Sequence, residues 1–254
     1  MVEHGKIVTF RFYAELNDFL KPGQRGRGFR YAFSGRPGVK DAIESLGVPH
    51  PEVELIVVDG KSVGFDFRLD DGERVAVYPV FEAVDVTPLV RLREAPLRRT
   101  RFVLDTHLGK LARLLRLIGF DTLYRNDYDD PRIVRISIDE HRIALTRDRG
   151  ILKHRELTHG YCVRSDRPMD QIREIVTRFD LAESMAPFTR CMMCNEPIRI
   201  VTKEEIEPRL LPGTRREHDE FRYCPGCDRI YWKGSHYARL RRLVERLSTS
   251  CSGC

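Results

Sequence analysis

The chain has 254 residues, which is long enough for two or three domains. Its hydrophobic content of 41% and charged content of 32% fit buried cores and argue against a mainly disordered chain. No apolar run approaches the roughly 18 residues of a membrane span, and the opening MVEHGKIVTF sets charged residues before any apolar run, unlike a secretory signal peptide. We therefore expect a cytoplasmic protein that has no membrane partner.

The net charge of +6 is unevenly distributed. Residues 1–90 contain 11 Lys and Arg against 14 Asp and Glu, whereas residues 91–254 contain 33 against 24. A basic carboxy-terminal part favours a polyanionic partner there, and the acidic first third does not.

The first third has the element order of a β-grasp domain. Apolar runs predict strands over 6–13, 53–59 and 74–80, and a helix is predicted over 37–48. Asp-Gly pairs at 59–60 and 71–72 predict tight turns. We place this domain at residues 1–88. The two prolines and four arginines of residues 86–99 indicate a linker.

Strands and helices alternate through the second unit, which we place at residues 100–184. Strands are predicted over 101–105, 120–124, 142–146 and 161–166. The helices between them are predicted to run from 106 to Gly119, from near Pro131, and over 168–179. In the first of these helices a leucine stripe faces inward, and the basic residues are expected to point away from it: Lys110, Arg113 and Arg116. This alternation predicts a parallel sheet, in which ligands bind outside the carboxyl ends of the strands.

Two Cys-x-x-Cys pairs mark the third unit, placed at residues 188–248 together with a basic amphipathic helix. The pairs CMMC and CPGC are separated by 29 residues and supply Cys191, Cys194, Cys224 and Cys227. Four thiolates at this spacing are typical of a closed, structural zinc site in a zinc ribbon. The terminal pair CSGC is expected to be a solvated tail, and Cys162 a buried small residue.

Aspartates follow the predicted strands of the parallel sheet. Asp105 ends the first strand, Asp148 follows the strand RIALT, and Asp129 and Asp130 open the helix between them. Grouped carboxylates suit Mg²⁺ or Mn²⁺, and such ions can activate water for phosphodiester cleavage. Asp105, Asp130 and Asp148 each also have an ordinary structural explanation as a cap of the turn or helix that follows.

Basic and aromatic side chains near these sites leave two interpretations open. Lys110, Arg113, Arg147 and Arg149 either contact phosphates beside the aspartates or form a solvated surface. Trp232, the single tryptophan, either stacks on a nucleic-acid base or packs against the ribbon.

The ordered series RFVLDTHLGKLARLLRLIGFDTLY, YDD, RIALTRDRGIL, YCVRSD and CMMC…CPGC…IYWKGSH resembles the Mut-seven carboxy-terminal (Mut7-C) RNase family. The resemblance implies a PIN-like nuclease domain with an appended zinc ribbon. It matches Asp105 to the first PIN carboxylate, Asp148 to the last, and the Asp129–Asp130 pair to the acidic position between them. The second PIN acid has no clear counterpart between 106 and 128, unless Asp121 or Asp127 supplies it.

The first 90 residues resemble the ubiquitin-like domain that is often fused ahead of this RNase, and that domain is related to sulfur carriers. A carrier needs a free Gly-Gly terminus, whereas this domain continues through YPVFEAVDV. The resemblance therefore implies a metal-dependent ribonuclease that hydrolyses RNA, with structural Zn and catalytic Mg or Mn. The zinc ribbon would aid RNA binding, and the ubiquitin-like domain is a candidate to contact other proteins. The alternative is a non-catalytic RNA-binding module whose PIN site is degenerate.

Overall fold

The computed structural model describes residues 5–79 and 100–250, with side chains up to residue 247. The predicted linker 86–99 and the terminal pair CSGC lie outside the described residues. The chain divides into two compact units, one made of residues 1–99 with 130–162 and the other of residues 100–129 with 163–254. Within the part of the chain that the structure describes, no helix has the length and apolar character needed to cross a membrane.

The amino-terminal domain is a five-stranded mixed sheet with one helix, as the β-grasp prediction requires. Its elements are β1 (Lys6–Phe12), β2 (Phe29–Phe33), α1 (Val39–Ser45), β3 (Val53–Val58), β4 (Lys61–Val63) and β5 (Arg74–Pro79). The strand order is β2-β1-β5-β3-β4. The pair β1–β5 is parallel, and the other three adjacent pairs are antiparallel. Alternate residues of β1, namely Val8, Phe10 and Phe12, are buried, so one face of the sheet carries the core.

The tight turn predicted at Asp59-Gly60 joins β3 to β4. Both residues have positive φ, 46° and 82°, and Val58 pairs directly with Lys61. A two-residue hairpin loop needs this left-handed backbone, which explains the Asp-Gly pair. The strands β2 and β4, both at edges of the sheet, were not predicted.

A four-stranded parallel sheet follows, with the order β7-β6-β8-β9. Its elements are β6 (Arg101–Leu104), α2 (Gly109–Leu117), β7 (Asp121–Leu123), α3 (Asp130–Asp139), β8 (Ile143–Thr146), β9 (Gly160–Cys162) and α4 (Pro168–Arg178). All four residues of β8 are buried, which suits a strand covered by helices on both faces. The first helix is shorter than predicted because residues 106–108 form a 3-10 turn, and the strand predicted over 161–166 ends at Cys162.

The third predicted unit is a three-stranded antiparallel sheet followed by a long helix. Its elements are β10 (Arg199–Val201), α5 (Lys203–Ile206), α6 (Pro212–Glu217), β11 (Phe221–Cys224), β12 (Arg229–Trp232) and α7 (Ser235–Ser250). The sheet order is β10-β11-β12, and Val201, Ile206 and Phe221 form its small core. Such a small core cannot hold a unit of this size by itself, so the cysteine cluster is expected to contribute to stability.

Within the unit that contains residues 130–162, the ubiquitin-like domain contacts the segment around β9. The carboxylate of Glu52, 1% exposed, accepts a hydrogen bond of 2.6 Å from the backbone N–H of Cys162. The Nε2 atom of buried His50 lies 2.8 Å from the carbonyl oxygen of Leu157. These buried polar contacts join the domain to the segment around β9.

Candidate metal centre and acidic residues of the nuclease domain

The four predicted cysteines are brought together, so the prediction of one cluster is confirmed. The Sγ atoms of Cys191, Cys194, Cys224 and Cys227 all lie within 4.8 Å of one another, and three of the pairs are 3.3–3.6 Å apart. A tetrahedral site with Zn–S bonds of about 2.3 Å places its sulfur atoms about 3.8 Å apart, and a disulfide holds them at about 2.05 Å. The separations therefore fit four ligands of one metal ion and not disulfides.

Two tight turns present these thiols. In the first, the N–H of Cys191 donates to the carbonyl oxygen of Glu196 at 2.8 Å, and Asn195, at φ 76°, donates to that of Cys191 at 3.0 Å. In the second, the N–H of Asp228 donates to the carbonyl oxygen of Cys224 at 2.9 Å as β11 turns into β12. Each Cys-x-x-Cys pair thus forms a knuckle that aims two sulfur atoms at the same point.

Tyr231 was not predicted as part of this cluster. Its hydroxyl donates a hydrogen bond to Cys191 Sγ at 3.0 Å. Burial disfavours the Cys191 thiolate, but this hydrogen bond and the backbone N–H groups of Cys194 and Met193 outweigh it and lower the pKa of Cys191 to about 6. Burial raises the pKa of Cys224. One thiolate is therefore favoured before any metal binds, and a bound cation supplies the charge that the other thiols need.

Arg116 was predicted only to point away from the leucine stripe of α2, and the structure shows that it is buried against the first cysteine knuckle. Its side chain is 4% exposed. The guanidinium donates to the carbonyl oxygens of Thr122 at 2.9 Å, Met192 at 3.2 Å and Met193 at 2.8 Å. The cation is buried because the first cysteine knuckle turns its backbone carbonyls toward α2, and sequence polarity carries no signal of this.

Asp121, one of the two candidates for the second PIN acid, contacts the same knuckle. It is the first residue of β7, at the amino end of the strand. Its carboxylate accepts a hydrogen bond of 2.8 Å from Asn195 Nδ2 and lies 3.8 Å from the guanidinium of Arg190. The other alternative, Asp127, is exposed after β7 and forms a two-point ion pair with Arg125 at 2.8 and 2.9 Å.

The predicted catalytic aspartates divide between the two compact units: Asp105 and Asp129 belong to one, and Asp130 and Asp148 to the other. Asp105 directly follows β6, is 3% exposed, and accepts a hydrogen bond of 2.8 Å from the N–H of His107. Asp148 lies two residues after β8, is exposed, and accepts one of 2.7 Å from the N–H of Gly150. Both therefore cap the turn that follows them.

Asp129 and Asp130 are both exposed at the start of α3. The helix begins at Asp130, so the N-cap position falls on Asp129, and Pro131 occupies the second helical position. Proline is tolerated there because the first turn of a helix leaves its N–H groups without helical partners.

The four predicted basic residues are all exposed: Lys110, Arg113, Arg147 and Arg149. Lys110 and Arg113 lie on α2, and Arg147 follows β8. Arg149 contacts the ubiquitin-like domain, since its guanidinium carbon lies 4.8 Å from the ring centroid of Phe19 and a nitrogen lies 3.5 Å from the carbonyl oxygen of Asp18.

The fold and the cysteine cluster define a protein with a parallel α/β sheet, a ribbon whose four cysteines could hold a metal ion, and a ubiquitin-like domain. Comparison with family models makes this specific: residues 100–244 match the Mut7-C RNAse domain, and residues 5–85 match the Mut7-C ubiquitin domain. The chain belongs to the Mut7-C RNAse domain family, as the motifs predict. No curated protein matches the sequence.

Proposed function

We propose that this protein is a divalent-metal-dependent ribonuclease that hydrolyses RNA phosphodiester bonds. Membership of the Mut7-C RNAse domain family carries the proposal. It is supported by the position of Asp105 after β6 and of Asp148 after β8, since parallel strands deliver their carboxyl ends to one edge of a sheet. The proposed domains are the ubiquitin-like domain at 1–88, the PIN-like nuclease at 100–184, and the zinc ribbon with its basic helix at 188–248.

Asp105 and Asp148 would hold the catalytic ion, with Asp130 or Asp129 completing the site. Carboxylate oxygens are the donors that Mg²⁺ and Mn²⁺ prefer, so the residue types fit the ion. When bound, such an ion activates water and stabilises the leaving oxygen. The protein's own contribution is orientation, because the N–H groups of His107 and Gly150 hold the carboxylates of Asp105 and Asp148 in place.

The four-cysteine cluster is proposed to bind one structural zinc ion. Tetrahedral coordination by four thiolates leaves no open position for water or substrate, so this ion would stabilise the ribbon and take no part in hydrolysis. Lys110, Arg113 and Arg147 are proposed to contact RNA phosphates, as exposed cations near Asp105 or Asp148 in the sequence. Arg149 is included in that proposal, although its contact with Phe19 restricts its reach.

One observation favours the alternative of a binding module with a degenerate site. The Asp121 carboxylate contacts Asn195, and Asp127 pairs with Arg125. Both candidates for the second PIN acid therefore already have polar partners within the protein. A thinner acidic set lowers metal affinity, because each ligand charge contributes to holding the cation.

The test is cleavage of labelled single-stranded RNA by the purified full chain, with and without Mn²⁺, and by Asp105→Asn and Asp148→Asn. Asparagine keeps the oxygen that accepts the capping hydrogen bond, so both variants should stay folded by circular dichroism. We expect each to lose activity by roughly a hundredfold or more. The double variant should lose little beyond the worse single one, because the residues act as a unit.

Asp139→Asn is the matched control, since Asp139 is exposed at the end of α3. It should cut at the parent rate. If both single variants also cut at the parent rate, the aspartates are only caps and cleavage occurs at another site. If the parent chain does not cut RNA with Mn²⁺, the binding-module alternative replaces the nuclease.

A further inference from the structure

A groove of about 980 Å³ lies within the unit formed by residues 100–129 and 163–254. Its walls come from the first cysteine knuckle, the three-stranded sheet, the segment before α6 and the start of α7. Among the described residues, the exposed large hydrophobic side chains all line this groove: Met193 at 42%, Ile200 at 78%, Leu211 at 73% and Trp232 at 41% exposure. Apolar side chains exposed together in one concave surface mark a contact site, because exposing apolar surface to water is unfavourable unless a partner covers it.

The groove is also strongly basic. Its lining contains two carboxylates, those of Asp219 and Glu220, and both pair with lysines, Lys203 and Lys233 respectively. Its lining cations are Arg113, Arg190, Arg209, Arg222, Arg229 and Lys233. This excess of positive charge favours a polyanion over an acid-poor or uncharged partner.

Two of these cations are available for such a partner. Arg113 on α2 and Arg229 at the start of β12 are exposed, and neither side chain makes a hydrogen bond or ion pair with any other described residue. By contrast, Arg222 donates to the carbonyl oxygen of Phe188 at 2.6 Å, and Arg209 pairs with Asp228 at 2.9 Å. The groove therefore combines exposed apolar side chains with two arginines whose charge no described side chain neutralises.

We propose that this groove binds single-stranded RNA, with bases against Trp232 and Met193 and phosphates beside Arg113 and Arg229. The inference deepens the proposed function, on which its choice of RNA rests. Stacking on a half-exposed aromatic ring requires bases that are free of a duplex, and arginines beside such a ring track the backbone. A protein ligand for this groove would need an acidic rim around an apolar centre, and the RNA backbone supplies the negative charge directly.

Trp232 makes the test direct, since it is the only tryptophan in the chain. The full chain, loaded with zinc, is titrated with a 2′-O-methyl uridine decamer, which resists hydrolysis, and the emission of Trp232 is followed. We expect saturable quenching, and the same decamer in a duplex should bind at least tenfold more weakly. In an anisotropy assay with labelled decamer, Trp232→Ala should weaken binding about tenfold and Trp232→Phe should restore most of it.

Arg229→Ala tests the phosphate contact, with Arg239→Ala as its matched control. Arg239 is exposed on α7 and is not part of the groove lining. Arg229→Ala should reduce the slope of log K against log salt by about 0.7, the value for one single-strand phosphate contact, and Arg239→Ala should leave the slope unchanged. Equal slopes for the two variants would contradict the assignment of Arg229.

The groove and the catalytic proposal fail in different ways. Suppose that RNA is cleaved, that the decamer does not change the emission of Trp232, and that Trp232→Ala binds the decamer as tightly as the parent. RNA then binds elsewhere and the groove serves a protein partner. If the decamer does not bind at all, the inference is likewise overturned. If no RNA is cleaved but quenching, its loss in duplex and the Arg229 effect all appear, the groove stands and the protein is a binding module.

Discussion

Replacement of Arg116 by methionine should strongly destabilise the unit that carries the cysteine cluster. The guanidinium makes three hydrogen bonds to backbone carbonyls, and the one to Thr122 is fully buried, whereas those to Met192 and Met193 are partly buried. A buried carbonyl left without a donor costs about 1–3 kcal/mol, and a partly buried one, which water can reach, about 1 kcal/mol. Arg116→Met should therefore lower the free energy of unfolding by about 3–5 kcal/mol.

The same substitution should weaken metal binding. The thiolates of Cys191 and Cys194 favour the charged form of Arg116, although burial lowers the pKa of this arginine. By reciprocity, the cation favours those thiolates, and removing it disfavours a cluster that carries net negative charge when zinc is bound. Arg116→Lys keeps the charge but cannot reach all three carbonyls, so it should fall between the parent and Arg116→Met.

The assay is urea unfolding followed by the fluorescence of Trp232, which lies in the same unit as Arg116. Arg113→Met is the matched control, because Arg113 lies one turn earlier on α2 and is exposed. It should change the free energy of unfolding by less than about 0.5 kcal/mol. An unfolding midpoint for Arg116→Met equal to that of Arg113→Met would refute the argument that these carbonyls depend on the guanidinium.

Two further predictions concern the cysteine cluster and the ubiquitin-like domain. Cys224→Ser should drop the zinc content from one equivalent to below half an equivalent in elemental analysis, whereas Cys162→Ser, away from the cluster, should keep it. Glu52→Ala should destabilise the fold by about 2–4 kcal/mol, because the buried carboxylate accepts the N–H of Cys162, and Glu52→Gln, which keeps an oxygen, should cost less. Hydrogen exchange at the Cys162 amide checks this directly, and unchanged protection in Glu52→Ala would contradict it.

Much of the fold was predictable because its signals are local. Apolar runs bounded by turn residues predicted β1, β3 and β5, and the Asp-Gly pair predicted the β3–β4 turn. The metal cluster was predictable for a similar reason, since each Cys-x-x-Cys forms its knuckle from four neighbouring residues. The four-residue helix α5 and six-residue α6, between the knuckles, were missed because they are too short to show a helical pattern.

Arg116 and Trp232 were not predictable, because their surroundings come from distant parts of the chain. Two of the three carbonyls that Arg116 contacts lie 76 and 77 residues further along the sequence. A helical pattern classifies an arginine by its polarity and cannot include acceptors from another domain. For Trp232 the sequence left base stacking and packing open, and its 41% exposure in the groove of the ribbon leaves part of the ring accessible to a ligand.

The hydrogen bonds of Arg116 and a second set between backbone groups fix the ribbon to α2. The N–H groups of Ala186 and Phe188 donate to the carbonyl oxygens of Ile118 at 3.0 Å and Leu117 at 2.9 Å, at the carboxyl end of α2. Gly119 has φ 100°, and a Cβ there would lie 2.3 Å from the Ala186 carbonyl oxygen, so only glycine allows this approach.

The turn that Asp105 caps leads directly into α2, and the contacts with the ribbon begin where that helix ends. The nine residues of α2 span about 14 Å. Helix, knuckle and groove are therefore joined by backbone hydrogen bonds and by Arg116, and not by a flexible tether. RNA bound in the groove would keep a fixed relation to Asp105, which is the arrangement a nuclease needs to hold a substrate at its carboxylates.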